Sequence, residues 1–384
     1  FYGNAGQSDY AMANEALNRI ALLFSQKHPD CHVTSFNWGP WEGGMVTPEL
    51  KRFFEERNVE VISVHDGTRI FVEDVTSKRQ SNPIFLIGNS MVVTNKIEPE
   101  IGELKILSTI KLENNPVFND HVIGESPVLP FVHAMAWMSD ICEQRLTGFK
   151  LRSCKNFKVL NGIKFDKTKA SQYSLEFKEI KQENETYKEF EVTVLSYSRE
   201  GKKKNNLPRI HYNSIVSLVQ GSNSMLYEDF DMNNTHNKPG SSFYEDGTLF
   251  HGPKFQGINK LLNINEKGLC LECSLEEILV SEQGQFASYT FNPFAVDLGF
   301  QAMLIWARYF YQSGSLPLKI NKFEHFKAVP FKKKFFVSMS IKENSSHSLE
   351  ADLNIHDEKG LIFCRISGAE TTLSKSLNKL FRKR

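Results

Sequence analysis

Two stretches constrain this chain more than any other feature. Residues 131–146 (FVHAMAWMSDICEQRL) and 295–311 (AVDLGFQAMLIWARYFY) are helical in period and apolar around most of their circumference in the first turns. A helix without a polar face must be covered on all sides, and the segments around these two read as covering strands. They are LKILSTIKL, QYSLEFKEIK, YKEFEVTVLSYS, YNSIVSLV, GLCLECSL, FASYTF, FVSMSIK, LEADLNIHD and LIFCRISG. Each helix follows a proline-bearing loop, at Pro130 and Pro293. Residues 97–375 therefore read as two sheet-around-helix halves, joined by the polar, turn-rich stretch 221–242. No sequence repeat accompanies the duplication.

Residues 1–95 alternate helix and strand. Leu17, Ile20, Ala21 and Leu23 recur at helical spacing behind Ser8 and Asp9, which predicts a helix over about 9–27. HVTSFNW before a Gly-Pro stop is a strand. Thr47, Pro48 and the apolar face of Leu50, Phe53 and Phe54 predict a short second helix. TRIFVEDV and NPIFLIGNSMVV suggest one more helix and a terminal strand.

At 384 residues, with 46 Lys+Arg against 45 Asp+Glu, the chain allows two or three domains and offers no basic field for nucleic acid or an anionic membrane. Six cysteines are too few for a disulfide framework, and no run approaches the ~20 apolar residues of a bilayer-crossing helix. A cytoplasmic protein is expected. The opening FYGNAGQSDY, without Met or a signal-peptide pattern, is expected of a piece of a longer protein.

Several residues invite chemistry. Tyr10 and Asn14, four apart on the first helix, share a face with Leu17 and Ala21 and would extend a buried stripe; by spacing alone they cap ordinary packing. His121 precedes the buried helix at 131–146, whose N-terminal amides could polarise a carbonyl. Asp297 on an apolar helix must be hydrogen-bonded, protonated or at a cavity, and Gln301 one turn on can hold its carboxyl; the alternative is a first-turn Asp favoured by the helix dipole. His133 reads as a satisfied core histidine. Cys270 and Cys273, three apart in a strand, face opposite ways and do not form a metal or redox pair. Lysines 202–204 read as a solvated hairpin tip, and the tail SKSLNKLFRKR as a solvated basic terminus.

Longer strings carry family resemblances. FYGNAGQSDYAMANEALNRIA resembles the active-site helix of type I ketoreductase domains of the short-chain dehydrogenase superfamily, which implies a proton-donor role for Tyr10 and a supporting one for Asn14. SFNWGPWEGG resembles the strand and cofactor-side loop that follow, which implies that Asn37, Trp38 and Gly39 face NADPH. The Gly-rich turn that cradles a pyrophosphate does not lie upstream of Tyr10 here, so the fragment is expected neither to bind NADPH nor to reduce anything unaided.

NDHVIGESPVLPFVHAMAWM resembles the HxxxGxxxxP motif of dehydratase domains in polyketide and fatty acid synthases, which fold as a double hot dog. The resemblance implies a catalytic His121, with Gly124, Pro130 and Phe131 at the substrate. Glu125 stands where the family has Gly, with Gly124 one place early, and Phe131 replaces the Gly after the proline. FNPFAVDLGFQAML resembles the family's DxxxQ/H motif, which implies that Asp297 is the second catalytic group and Gln301 its partner. LFHGPKFQGI resembles the YGPxFQ tunnel segment, with His251 in place of Tyr and with Gly252, Pro253 and Phe255 at the substrate. Whether His251 touches substrate or packs is open.

The expected fold is α+β: a double hot-dog dehydratase domain (first hot dog 96–220, second 221–375, basic tail 376–384) after the C-terminal part of an α/β Rossmann-type ketoreductase domain (1–95). The expected function is dehydration of a β-hydroxyacyl chain on an acyl carrier protein, within a polyketide or polyunsaturated fatty acid synthase. The dehydratase is expected to need no cofactor or metal beyond the substrate's phosphopantetheine arm, with NADPH serving only an intact ketoreductase. Other synthase domains and a second copy are the expected partners. The alternatives are a product-template (cyclase) or isomerase domain on the same fold, or a non-catalytic dimerisation or docking module.

Overall fold

The structure is a computed structural model that describes residues 8–28, 31–43, 46, 47, 51, 52, 54, 59, 61–76, 83–88, 104–146, 148–166, 172–184, 186–196, 208–221, 225–286 and 290–381. It divides into two units, Phe1–Glu100 and Ile101–Arg384.

In the first unit, α1 (Ser8–Lys27) leads to β1 (Ser35–Trp38), α2 (Val64–Thr76) and β2 (Ile84–Ile87). The two strands pair in parallel, Ser35 opposite Ile84, and α2 lies in the crossover that a parallel pair requires. The short helix expected after Thr47 and the end of the terminal strand fall largely outside the described residues. The packed face of α1 is not the expected stripe: Tyr10 is 69% and Leu17 59% exposed. Asn18 is buried instead. It exchanges amide hydrogen bonds with Asn37 at 3.0 Å and accepts from the Ser35 hydroxyl at 2.8 Å. β1 presents polar groups to the helix, and an amide satisfies them where Leu17 could not.

The second unit contains β3 (Leu104–Thr109), β4 (Val122–Ile123), β5 (Ser126–Pro127), α3 (Phe131–Arg145), β6 (Phe149–Val159), β7 (Gln172–Asn184), β8 (Tyr187–Ser196) and β9 (Arg209–Gln220). It continues with β10 (Lys238–Pro239), β11 (Ile258–Asn265), β12 (Gly268–Cys273), α4 (Pro293–Tyr311), β13 (Gly314–His325), β14 (Phe335–Asn344), β15 (Ser348–His356) and β16 (Ile362–Ser374). Among the described residues, twelve strands form one antiparallel sheet, in the order β10-β11-β12-β14-β15-β16-β13-β6-β9-β8-β7-β3. The seam between halves is the β13–β6 pair, Lys319 opposite Lys158 through Glu324 opposite Ser153. α3 packs on β6 and β9, α4 packs on β13, β14 and β15, and the two helices touch each other. Every residue from Phe131 to Asp140 and from Pro293 to Ala307 is buried, as their apolar circumference requires. Asn292 caps α4 by accepting from the amides of Phe294 and Ala295, and Pro293 occupies its first turn.

Three expectations need correction. FASYTF is not a strand among the described residues: Gly284–Phe286 is a 3₁₀ turn, and the Thr290 amide donates to buried Asp140 at 2.8 Å. The connector between the halves is, from residue 225 on, held along the second half, with the Glu228 amide on the Gly360 carbonyl and the Ile362 amide on the Leu226 carbonyl. The tail is not solvated up to residue 381: a 3₁₀ turn at Lys375–Lys379 leads to Phe381, fully buried, since Leu377 and Phe381 find apolar ground that the neighbouring lysines need not enter. His133 is in the core but unsatisfied, with neither ring nitrogen hydrogen-bonded among the described residues. Lysines 202–204 lie outside the described residues. No described helix is long and apolar enough to cross a membrane.

Candidate active site

His121 ends a 3₁₀ turn, Pro116–Asp120, and opens the small β4–β5 hairpin. The hairpin folds back so that the Val128 amide donates to the His121 carbonyl at 2.9 Å, while His121 Nδ1–H donates to the Val128 carbonyl at 3.0 Å. That second bond fixes the tautomer and leaves Nε2 with its lone pair free. Burial lowers the His121 pKa to about 4 despite the bond to Val128, so the ring is neutral at pH 7. Phe250 and Phe255 stand against it at 5.2 and 5.4 Å between ring centroids.

Asp297 lies in the first half of α4. Burial raises its pKa to about 7, and the amide of Gln301, which donates to Oδ2 at 2.9 Å, moderates the rise. Gln301 is itself held: Nε2 also donates to the Phe255 carbonyl at 2.9 Å, and Oε1 accepts from the Tyr244 hydroxyl at 2.8 Å. His251 Nε2 stands 3.4 Å from the same Asp297 oxygen, and desolvation keeps this imidazole well below the usual histidine range. Its Nδ1 is buried without a partner among the described residues.

His121, His251 and Asp297 each bring one donor atom within 4.8 Å of the others. Two histidines and a carboxylate are donor types that a divalent transition metal accepts. Burial without a counter-charge instead favours neutral imidazoles and a protonated carboxyl, the states that acid–base chemistry uses. All three residues line one cavity of about 270 Å³. Its wall draws on both halves, with Pro130, Phe131 and Tyr212 from one and Phe300, Leu304 and Pro317 from the other.

Of the sequence-derived substrate residues, Pro130, Phe131 and His251 line the cavity, whereas Gly124, Gly252, Pro253 and Phe255 do not. Gly124 (φ +68°) turns the β4–β5 hairpin, and its amide donates to the Leu380 carbonyl at 2.9 Å. Gly252 is a close-approach glycine: its amide donates to the Asp120 carbonyl at 2.7 Å, and a Cβ there would lie 2.7 Å from the Asp120 carboxylate. Asp120 Oδ2 also accepts from the Lys254 amide at 2.8 Å. The loop before His121 is thus clamped to the loop after His251. Phe255 is fully buried behind the site.

Sequence reasoning missed Tyr244, Asp120 and Phe250. Asp120 and Phe250 adjoin motif histidines, and that adjacency was the available signal; Tyr244 had none. In the first unit, Asn14 Nδ2 donates to the Tyr10 carbonyl rather than to a phenol, and the Asn37 amide is spent on Asn18 and the Phe85 carbonyl. Trp38 stacks on Phe36, and the Gly39 amide donates to the Ile87 carbonyl. These internal commitments do not fit a dinucleotide contact. Cys270 and Cys273 are free thiols in separate apolar clusters.

Residues 233–380, which include His251, Asp297 and Gln301, match the family model described as polyketide synthase dehydratase N-terminal domain. The chain is 30% identical over 374 residues to a polyunsaturated fatty acid synthase subunit from Thraustochytrium sp., an alignment covering 96% of this chain and 13% of that relative. It therefore spans a small part of the relative's length. Among solved structures, the dehydratase domain from the CurF module of curacin polyketide synthase superposes with a TM-score of 0.57 at 15% identity, over 74% of this chain and 96% of that one. A trans-AT polyketide synthase dehydratase domain from Brevibacillus brevis gives 0.56 at 16% identity, over 71% and 94%. These likenesses show a hot-dog-type dehydratase fold built on a large antiparallel sheet.

Proposed function

We propose that this chain, part of which matches a polyketide synthase dehydratase family, removes water from a β-hydroxyacyl thioester carried on the phosphopantetheine arm of an acyl carrier protein. It would act as one domain of a multidomain polyketide or polyunsaturated fatty acid synthase. One observation carries the reading: a neutral imidazole with an unused Nε2 and a carboxyl protonated up to about pH 7 share one buried cavity.

His121 Nε2 takes the α-proton, and the electron pair of that C–H bond becomes the new C=C π bond. Asp297 gives its proton to the β-hydroxyl as the C–O bond breaks, and water leaves. The cycle closes when His121 returns its proton to Asp297 through water. The thioester carbonyl, which gains charge as the α-proton departs, is served by the Phe131 and Val132 amides that open α3, since Pro130 supplies no side-chain cap and the His133 and Ala134 amides donate to its carbonyl. Gln301 orients the acid, and His251 adds a second contact to the same carboxyl oxygen.

Under the same reading, residues 1–95 are a ketoreductase fragment without a catalytic part in this reaction. The partners are the carrier protein, neighbouring synthase domains and a second copy of the chain. The test is the rise in enoyl-thioester absorbance from a β-hydroxyacyl pantetheine thioester. Asp297→Asn should lower that rate on the order of a hundred- to ten-thousandfold with folding intact. An unchanged rate would remove Asp297 from the mechanism.

A further inference from the structure

The last described residues form a strap beside the cavity, with Leu380 part of its lining. Ser374 caps the 3₁₀ turn by accepting from the Ser376 amide, and Asn378 donates to the Gln312 carbonyl at 2.8 Å, where α4 has just ended. Phe381 then inserts into the protein. Its ring stacks on Phe250 at 4.8 Å between centroids, Phe250 stacks on His251 at 4.0 Å, and both Phe250 and His251 stand against His121. Gly314 makes room for this insertion: a Cβ there would lie 2.7 Å from the Phe381 ring and 2.8 Å from Leu377.

Between these anchors stands Leu380. Its carbonyl accepts from Gly124, the turn glycine of the His121 hairpin, and its side chain lines the cavity while remaining 40% exposed. A side chain that both lines the cavity and meets solvent lies at the rim. Ile123, Gly162 and Lys164 line the cavity as well, and Gly162 and Lys164 are exposed.

We infer that Leu380 is a specificity-determining residue: anchored by Phe381, it narrows the rim of the cavity against the bound acyl thioester. A rim residue selects on cross-section, so it favours unbranched chains over chains branched at the α-carbon. This rests on the cavity being the acyl-thioester site proposed above.

The test is calorimetric binding of two saturated pantetheine amides, butyryl and its α-methyl-branched homologue, to the full chain and its variants. A second readout is turnover of the matching β-hydroxy thioesters. Leu380→Ala should shift the affinity ratio towards the branched ligand by about tenfold, and Leu380→Phe should shift it the other way. Phe381→Ala, which unseats the strap, should reproduce the Leu380→Ala shift in protein whose cooperative thermal unfolding is retained. An unchanged ratio in both Leu380 variants, or no binding of either amide to the wild-type chain, overturns the inference. A shifted binding ratio without turnover would instead overturn the dehydratase reading and leave the strap standing.

Discussion

Gln301 Nε2 donates to Asp297 Oδ2 across one turn of α4 at 2.9 Å, and the same nitrogen reaches the Phe255 carbonyl. The amide therefore ties the acid to the segment that carries His251. The Tyr244 hydroxyl holds the other end of the amide, so Gln301 cannot turn away. A hydrogen bond to the carboxylate that forms as Asp297 gives up its proton is worth about 1.5 kcal/mol, which corresponds to roughly tenfold in rate. Gln301→Ala should lower kcat by about that factor. It should also move the alkaline limb of the pH profile upward, because the bond from Gln301 lowers the Asp297 pKa. Steady-state kinetics across pH check both effects, and only the second distinguishes positioning from general damage.

The pH profile of the wild-type chain follows from two opposed shifts. His121 works as a base when neutral, which holds above its pKa of about 4, and Asp297 works as an acid when protonated, which holds below about 7. kcat/KM should therefore rise through about 4, level off, and fall through about 7. Asp297→Asn should abolish the fall along with most of the rate. A profile still rising above pH 8 would mean that the base, not the acid, sets the upper limb.

Gly252→Ala should damage catalysis from outside the cavity. The new Cβ would press on the Asp120 carboxylate at 2.7 Å and pry the His121 loop from the His251 loop. An overpacked contact of this kind costs about 1–3 kcal/mol. The expected outcome is a lower melting temperature with a lower kcat, measured by calorimetry and turnover on the same preparation.

Much of this arrangement was legible in the sequence. Both core helices appear where apolar residues cover a whole circumference, and most strands appear as clean alternations. β6, β11 and β13 were missed. In β6 an extra residue interrupts the alternation, with Asn156 at φ +52° and lysines on the open face. In β13 the register shifts at Pro317. His121, Asp297, Gln301 and His251 were singled out because each stands in a local motif, and the structure brings them together. Asp120, Tyr244 and Leu380 act across 57 to 256 residues of chain, through contacts that no local pattern encodes.

Chelation separates acid–base chemistry from metal chemistry at the trio of His121, His251 and Asp297. Dehydration should survive exhaustive treatment with a chelator. Added zinc should inhibit, because it would occupy the His121 lone pair and the Asp297 carboxyl together. Restoration of activity by a metal after chelation would contradict the mechanism above.

The most direct test of the central claim is mass spectrometry of a β-hydroxyacyl chain on its carrier protein, incubated with the wild-type chain and with His121→Ala. Loss of one water with the wild-type chain alone is the predicted result. Equal loss with both proteins, or no change in the substrate from either the hydroxyacyl or the enoyl side, would contradict it.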